Sequence, residues 1–104
     1  MVFLSWETVY NDKKRLIGLF EKEYGVSPIE LFSEESDSEL CYIGYRFKKN
    51  GKQISIKVPH LKDHADRYSA QHHKWELLIN EKKLGIYKNA KEAFRILNHD
   101  ANVS

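Results

Sequence analysis

The sequence predicts a single α+β domain: a four-stranded antiparallel sheet made of two hairpins, with N-terminal and C-terminal helices packed on one face. Three observations predict it. Apolar residues recur at helical spacing near both ends of the chain. Two central stretches alternate apolar and polar residues about short turns. The length of 104 residues supplies one hydrophobic core and not two. Residues 1–104 are therefore read as one domain, with 98–104 as a frayed tail.

Trp6, Val9, Tyr10, Ile17, Phe20 and Tyr24 fall at helical intervals, and Leu16 and Leu19 widen the stripe. Ser5 suits the N-cap. Gly25 suits the C′ position, where glycine enters the left-handed region without steric cost. Ser27, Pro28 and Glu30 then fit the N-cap, first helical position and capping-box partner of a short second helix. Residues 33–40, SEESDSEL, are acidic and serine-rich and read as a solvated loop.

The clearest element follows. CYIGYRFKK and KQISIKV alternate on either side of Asn50-Gly51, a pair suited to a type I′ turn because both central residues need positive φ. A two-residue loop pairs Phe47 with Ile54, Tyr45 with Ile56 and Ile43 with Val58. Apolar side chains then share one face, and Arg46, Lys48, Gln53, Ser55 and Lys57 share the other. Pro59 cannot donate to a ladder, so the strand is expected to end at Val58. After a polar connection, KWELLIN and KLGIY form a second hairpin about Glu81-Lys82, with Trp75, Leu77 and Ile79 opposite Leu84 and Ile86. NAKEAFRIL closes the fold. Asn89 and Glu92 take capping-box positions, and Ala90, Ala93, Phe94 and Leu97 form the buried stripe.

Composition narrows the function. Seventeen basic residues against fifteen acidic ones give a net charge of +2, too little for a domain devoted to non-specific phosphate binding. The lone Cys41 forms no internal disulfide and fits a reducing, cytoplasmic setting. MVFLSW is apolar but short, lacks a basic lead and meets Glu7 at once, unlike a signal peptide. No apolar run approaches the ~20 residues of a membrane-spanning helix, so no membrane partner is expected. The chain has no glycine-rich phosphate loop and no nucleophile elbow. Cys41 shares the inward face with Ile43, where a thiol serves as a small core group. The chain is expected not to be an enzyme.

Two clusters carry what chemistry there is. HLKDHADRYSAQHH, residues 60–73, holds four of the five histidines. His60 and His64 would point the same way on one helical turn. With them His72, His73, Asp63 or Asp66 would close a tetrahedral shell suited to zinc or another divalent transition metal. The spacing matches no zinc motif, and the competing reading is a polar connection without metal. Charge is also segregated. Residues 30–39 carry Glu30, Glu34, Glu35, Asp37 and Glu39 without a base, and residues 46–62 carry Arg46, Lys48, Lys49, Lys52, Lys57 and Lys62 without an acid. With Tyr42 at its edge, the second set forms a basic strip. It either guards a sheet edge or docks an acidic partner or a nucleic-acid backbone.

YIG at 42–44 and GIY at 85–87 are the tripeptides that name the GIY-YIG endonucleases, here in reversed order and about forty residues apart. Both are explained as strand residues with glycine at a close approach. KWELLINEKKLGIYKNAKEAFRIL resembles the last two strands and helix of plant ethylene-response-factor DNA-binding domains, and equally the arm-binding domains of phage integrases. Trp75, Leu84-Gly85, Tyr87 and Glu92-Ala93 carry the likeness, over about a quarter of the chain. It implies DNA reading from the exposed sheet face, where this chain has Glu76, Leu78 and Asn80 instead of basic and aromatic residues.

The functional expectation is a small non-enzymatic protein that binds a macromolecular partner, above all a protein. Small stand-alone proteins of this kind are common in phages and mobile elements, where many inhibit host nucleic-acid enzymes, anti-CRISPR proteins among them. The alternatives are a nucleic-acid-binding module using the basic face of the 40–58 hairpin and a metal-binding protein with a histidine-rich loop.

Overall fold

The computed structural model describes residues 2–36 and 39–99. In chain order the elements are β1 (Leu4–Ser5), α1 (Trp6–Lys14), α2 (Ile17–Tyr24), β2 (Glu30–Glu35), β3 (Leu40–Lys49), β4 (Lys52–Lys62), β5 (Arg67–Ala70), β6 (Trp75–Ile79), β7 (Lys82–Tyr87) and α3 (Ala90–His99). The class is α+β, as expected, but the antiparallel sheet has seven strands and not four. Its order is β1-β5-β4-β3-β2, with β6 joined to β4 and β7 to β6.

The central hairpin keeps the register its turn and alternation imply. Phe47 pairs with Ile54, Tyr45 with Ile56 and Ile43 with Val58. Asn50 and Gly51 both take positive φ, 52° and 77°. Ser5 caps α1 by accepting the Thr8 N–H, Asn89 caps α3 by accepting the Glu92 N–H, and Gly25 ends α2 at φ 65°.

Pro59 does not end its strand. In an antiparallel ladder the N–H and C=O of one residue point to the same side. The Pro59 carbonyl accepts from Gln71 N–H at 2.8 Å, so the missing N–H faces the edge away from β3. On that edge β6 pairs with residues up to Lys57 and β5 with residues from His60. Pro59 stands in the gap, where no strand asks for a donor.

Other expectations fail for traceable reasons. The short helix at Ser27 to Glu30 does not form. Ser27-Pro28 is a cis peptide, the Glu21 carboxylate accepts the Ile29 N–H at 2.9 Å, and residues from Glu30 enter β2, which takes Ser33 to Glu35 out of the expected loop. The N-terminal helix is two helices, broken at Arg15 and Leu16. The second hairpin turns at Asn80-Glu81, one residue early, with φ 50° and 69°. That change alone would keep Leu84 and Ile86 inward, but the register slips by one residue between Leu77 and Leu78, so Ile86 pairs with Glu76, and Leu84 and Ile86 are 41% and 53% exposed. α3 continues through Asn98 and His99. Residues 37–38 of the expected loop and 100–104 of the expected tail lie outside the described residues.

All three helices cover one face of the sheet. Phe20 of α2 and Phe94 of α3 pack with Tyr45, Phe47, Ile54, Ile56 and Leu77 in the larger core. Phe94 stacks 4.8 Å from Tyr24 and 5.5 Å from Phe47. Val9 of α1 joins Cys41 and Ile43 in a smaller core, beside Trp6 and Tyr68, whose rings meet edge-on at 5.2 Å.

Candidate functional site

The uncovered face of the sheet contains the residues expected to bind a partner, but not all of them. Side chains alternate along a strand, so Tyr42, Arg46, Lys48 and Lys57 face outward together. Lys49 and Lys52, which are register partners, and Lys62 have the opposite parity and do not join them. The Lys49 ammonium donates to Asn98 Oδ1 at 2.6 Å, and Lys62 lies 3.4 Å from Asp66. The expected strip is thus divided between two faces.

It is also neutralised in part. β2 lies along β3, opposing Glu30 to Arg46 and Glu34 to Tyr42, so the acidic and basic blocks of the sequence are neighbours in space. The Lys57 ammonium donates to Glu34 and sits 4.4 Å from the Tyr42 ring centroid, with its side chain only 15% exposed. The Arg46 guanidinium lies 4.1 Å from the centre of the Phe32 ring. Lys83 approaches Glu76 at 3.5 Å. Between these groups an open groove of about 550 Å³ runs past Phe32, Arg46, Ser55, Lys57 and Leu78. Sequence reasoning missed β2. The available signal was the complementarity of the two charge blocks, with Leu31 and Phe32 alternating between them.

The histidine stretch is not a helical turn, so His60 and His64 do not point the same way. His60 lies within β4, opposite Cys41 on one side and Ala70 on the other, and is 1% exposed. His64 and Asp63 line a groove with Phe3, Glu39 and Leu61, whereas His60 and His72 line a different cavity beside α1. His73 sits in the turn before β6 at φ 71°. Asp63 braces the preceding turn. One carboxylate oxygen accepts from the N–H groups of Ala65 and Arg67, both at 2.9 Å, and the other meets Arg67 Nε at 3.1 Å. The Arg67 N–H above all holds this carboxyl below its ordinary range. Among the described residues, no group of three or more His, Cys, Asp or Glu side chains is placed to hold a metal ion.

His60 is the unusual member. Burial lowers its pKa to about 4, and the nearby Lys13 and His72 push the same way against the bond to Val58. The ring is therefore neutral at neutral pH. Its Nδ1 lies 3.2 Å from the Val58 carbonyl oxygen, which fixes the proton there, while the buried Nε2 has no hydrogen-bond partner among the described residues. Across the ladder, burial raises the pKa of the Cys41 thiol, and Glu35 adds to the effect, so Cys41 remains a protonated core group.

Among the described residues, no helix is long and apolar enough to cross a membrane. No curated protein matches the chain. Residues 3–97, from just ahead of β1 to Leu97 in α3, match the model described as Family of unknown function (DUF5634). The chain belongs to the DUF5634 family.

Proposed function

We propose that the protein is a non-enzymatic binding protein whose outer sheet face docks on another protein. The make-up of that face carries the reading. The helices lie on the other side, and Phe32, Tyr42 and Ile86 stay partly exposed among cations that already have carboxylate neighbours, Lys57 with Glu34 and Lys83 with Glu76. Phosphate binding draws on cations free of carboxylates. Protein interfaces instead combine aromatic and aliphatic area with a few arginines. Arg46 forms no salt bridge among the described residues and lies over the Phe32 ring, 4.1 Å from its centre, so its guanidinium donors are available to a carboxylate. The partner is expected to bring apolar side chains to Phe32, Leu78 and Ile86 and an acidic group to Arg46.

Capture from the source cells, followed by reconstitution with the purified captured protein, tests the proposal. Arg46→Glu and Ile86→Lys should each weaken the reconstituted complex at least tenfold, about 1.4 kcal/mol, while Lys91→Glu on the helix side should not. Equal binding by all variants, or a complex lost to Lys91→Glu alone, overturns it. Gel shifts at about 50 and 200 mM salt complete the test, because binding to DNA or RNA that collapses with salt would instead mark a phosphate-binding face.

A further inference from the structure

The groove on the outer sheet face, whose occupation rests on the docking reading, holds about 550 Å³ and crosses four strands. It runs from Phe32 on β2 past Arg46 on β3 and Ser55 on β4 to Leu78 on β6. Ser55 is the register partner of Arg46 on one side and of Leu78 on the other, so these three side chains form one row. The tight turn closes on the bonded pair Lys49 and Lys52, and bonded and non-bonded pairs alternate from there. Arg46 and Ser55 are therefore a non-bonded pair, with Cβ atoms about 4.5–5.5 Å apart.

Two cations line the groove, and they are not alike. Lys57 is engaged by Glu34. Arg46 is opposed by Glu30 in the β2–β3 ladder, yet its guanidinium reaches over the Phe32 ring and forms no salt bridge among the described residues. The Ser55 hydroxyl and the Gln53 side-chain amide, next to it on the same face, likewise have no hydrogen-bond partner among the described residues. Water answers a lone hydroxyl or amide on a surface. A guanidinium, a hydroxyl and an amide at adjacent positions beside an aromatic ring instead form a seat for an anion.

That seat suits a single negative charge. Glu34 and Glu81 also line the groove, so a dianionic phosphate would meet two carboxylates and gain one free cation. A carboxylate needs only the one, and the planar guanidinium fork matches it at two points. The apolar side chains set the rest of the ligand. Phe32 and Leu78 are three strand spacings apart and offset by two residues, about 16 Å between Cα atoms. Residues four apart in an extended peptide lie about 13–14 Å from each other and face the same side, with a third such residue midway between them. Side-chain reach covers the difference.

We propose that this groove binds an extended peptide segment of the partner with the pattern apolar-x-acidic-x-apolar, whose carboxylate is held by the Arg46 guanidinium and the Ser55 hydroxyl while its apolar residues cover Phe32 and Leu78.

The test titrates the full chain with a capped peptide, glycine-leucine-serine-glutamate-serine-leucine-glycine, and follows the ¹H–¹⁵N signals of Arg46 Nε and the Ser55 amide. Both should move saturably with a Kd below about 1 mM. Glutamine in place of the glutamate, or serine in place of both leucines, should weaken binding at least about fivefold. Phosphoserine in place of the glutamate should bring no gain. Ser55→Ala should weaken the glutamate peptide about threefold, as loss of one hydrogen bond does. The docking reading is judged on the captured partner by Ile86→Lys, and Ile86 lies outside the groove. That variant should not weaken the peptide, so the two readings fail separately. No saturable shift up to about 10 mM, equal binding of the glutamate and glutamine peptides, or tighter binding of the phosphoserine peptide would overturn the assignment.

Discussion

Gly44 offers a quantitative test of the central hairpin. It faces outward on β3 across from Lys57, and the alternation of hydrogen bonds makes this one of the close, non-bonded pairs of the ladder, in which Cα atoms approach to about 4.5 Å. A Cβ at Gly44 would run into the Ile56 carbonyl oxygen and stand 2.5 Å from Cα and 2.7 Å from Cβ of Lys57. None of these atoms moves aside by side-chain rotation. Carbon atoms rest about 3.5–4.0 Å apart, so Gly44→Ala must part the strands by about 1 Å. That stretches the flanking Ile43–Val58 and Tyr45–Ile56 pairs, whose hydrogen bonds contribute about 0.5–1.5 kcal/mol each. Two weakened bonds and an overpacking strain of about 1–3 kcal/mol give an expected loss of about 2–6 kcal/mol. Urea denaturation followed by Trp6 and Trp75 fluorescence measures it. Gly18→Ala is the matched control. That helical glycine has nothing within 4 Å of an added Cβ, so the same methyl should stabilise by about 0.5–1 kcal/mol. A Gly44→Ala protein within about 0.5 kcal/mol of wild type would show that the strands do not approach this closely.

Two further outcomes are expected. His60 has a pKa of about 4 in the folded chain against 6.5 as its ordinary value, so between these values only the unfolded chain takes up the proton. Stability is then complete above pH 6.5 and falls as pH drops toward 4, by up to about 3 kcal/mol. Urea melts at pH 7 and 4.5 should show a smaller loss for His60→Gln than for wild type, and equal losses would contradict the assignment. Glu81 holds φ 69° in the Asn80-Glu81 turn, where a side chain is strained. Glu81→Gly should raise stability by about 0.5–1 kcal/mol in the same melts, and no gain would mean the turn is not left-handed there.

What the sequence made legible was whatever local chemistry decides. Asn50-Gly51 admits one turn, and that turn with the alternation around it permits one register. Ser5, Gly25 and Asn89 mark helix ends through bonds or dihedrals confined to a few residues. The failures occur where a distant partner overrules the local signal. Ser27, Pro28 and Glu30 satisfy a capping box, but Leu31 lies opposite Tyr45 and Phe32 lies against Arg46, so the segment gains more as a strand. Pro59 is tolerated because β6 and β5 leave a gap beside it, and that gap is bounded by Ala70 and Glu76, more than ten positions away. The basic strip was half legible: parity gave its outward members, but nothing local announced that an acidic strand would lie beside it. The histidines were noticed for their number, yet the one with unusual chemistry is singled out by burial, which spacing does not encode.

The shared edge of β4 sets how movement passes through the molecule. Since β5 and β6 adjoin β4 on the same side and are not paired with each other, the sheet is slit at Pro59, and two leaves hang from the spine formed by β3 and β4. One leaf carries the larger core under α2 and α3; the other carries Val9, Trp6 and Tyr68. The Tyr45 hydroxyl, bonded to the Lys13 carbonyl at 2.9 Å, is a stitch between them. A strain placed on the smaller leaf would therefore flex that leaf first, and its pull would reach the rest of the sheet through that spine and through this stitch.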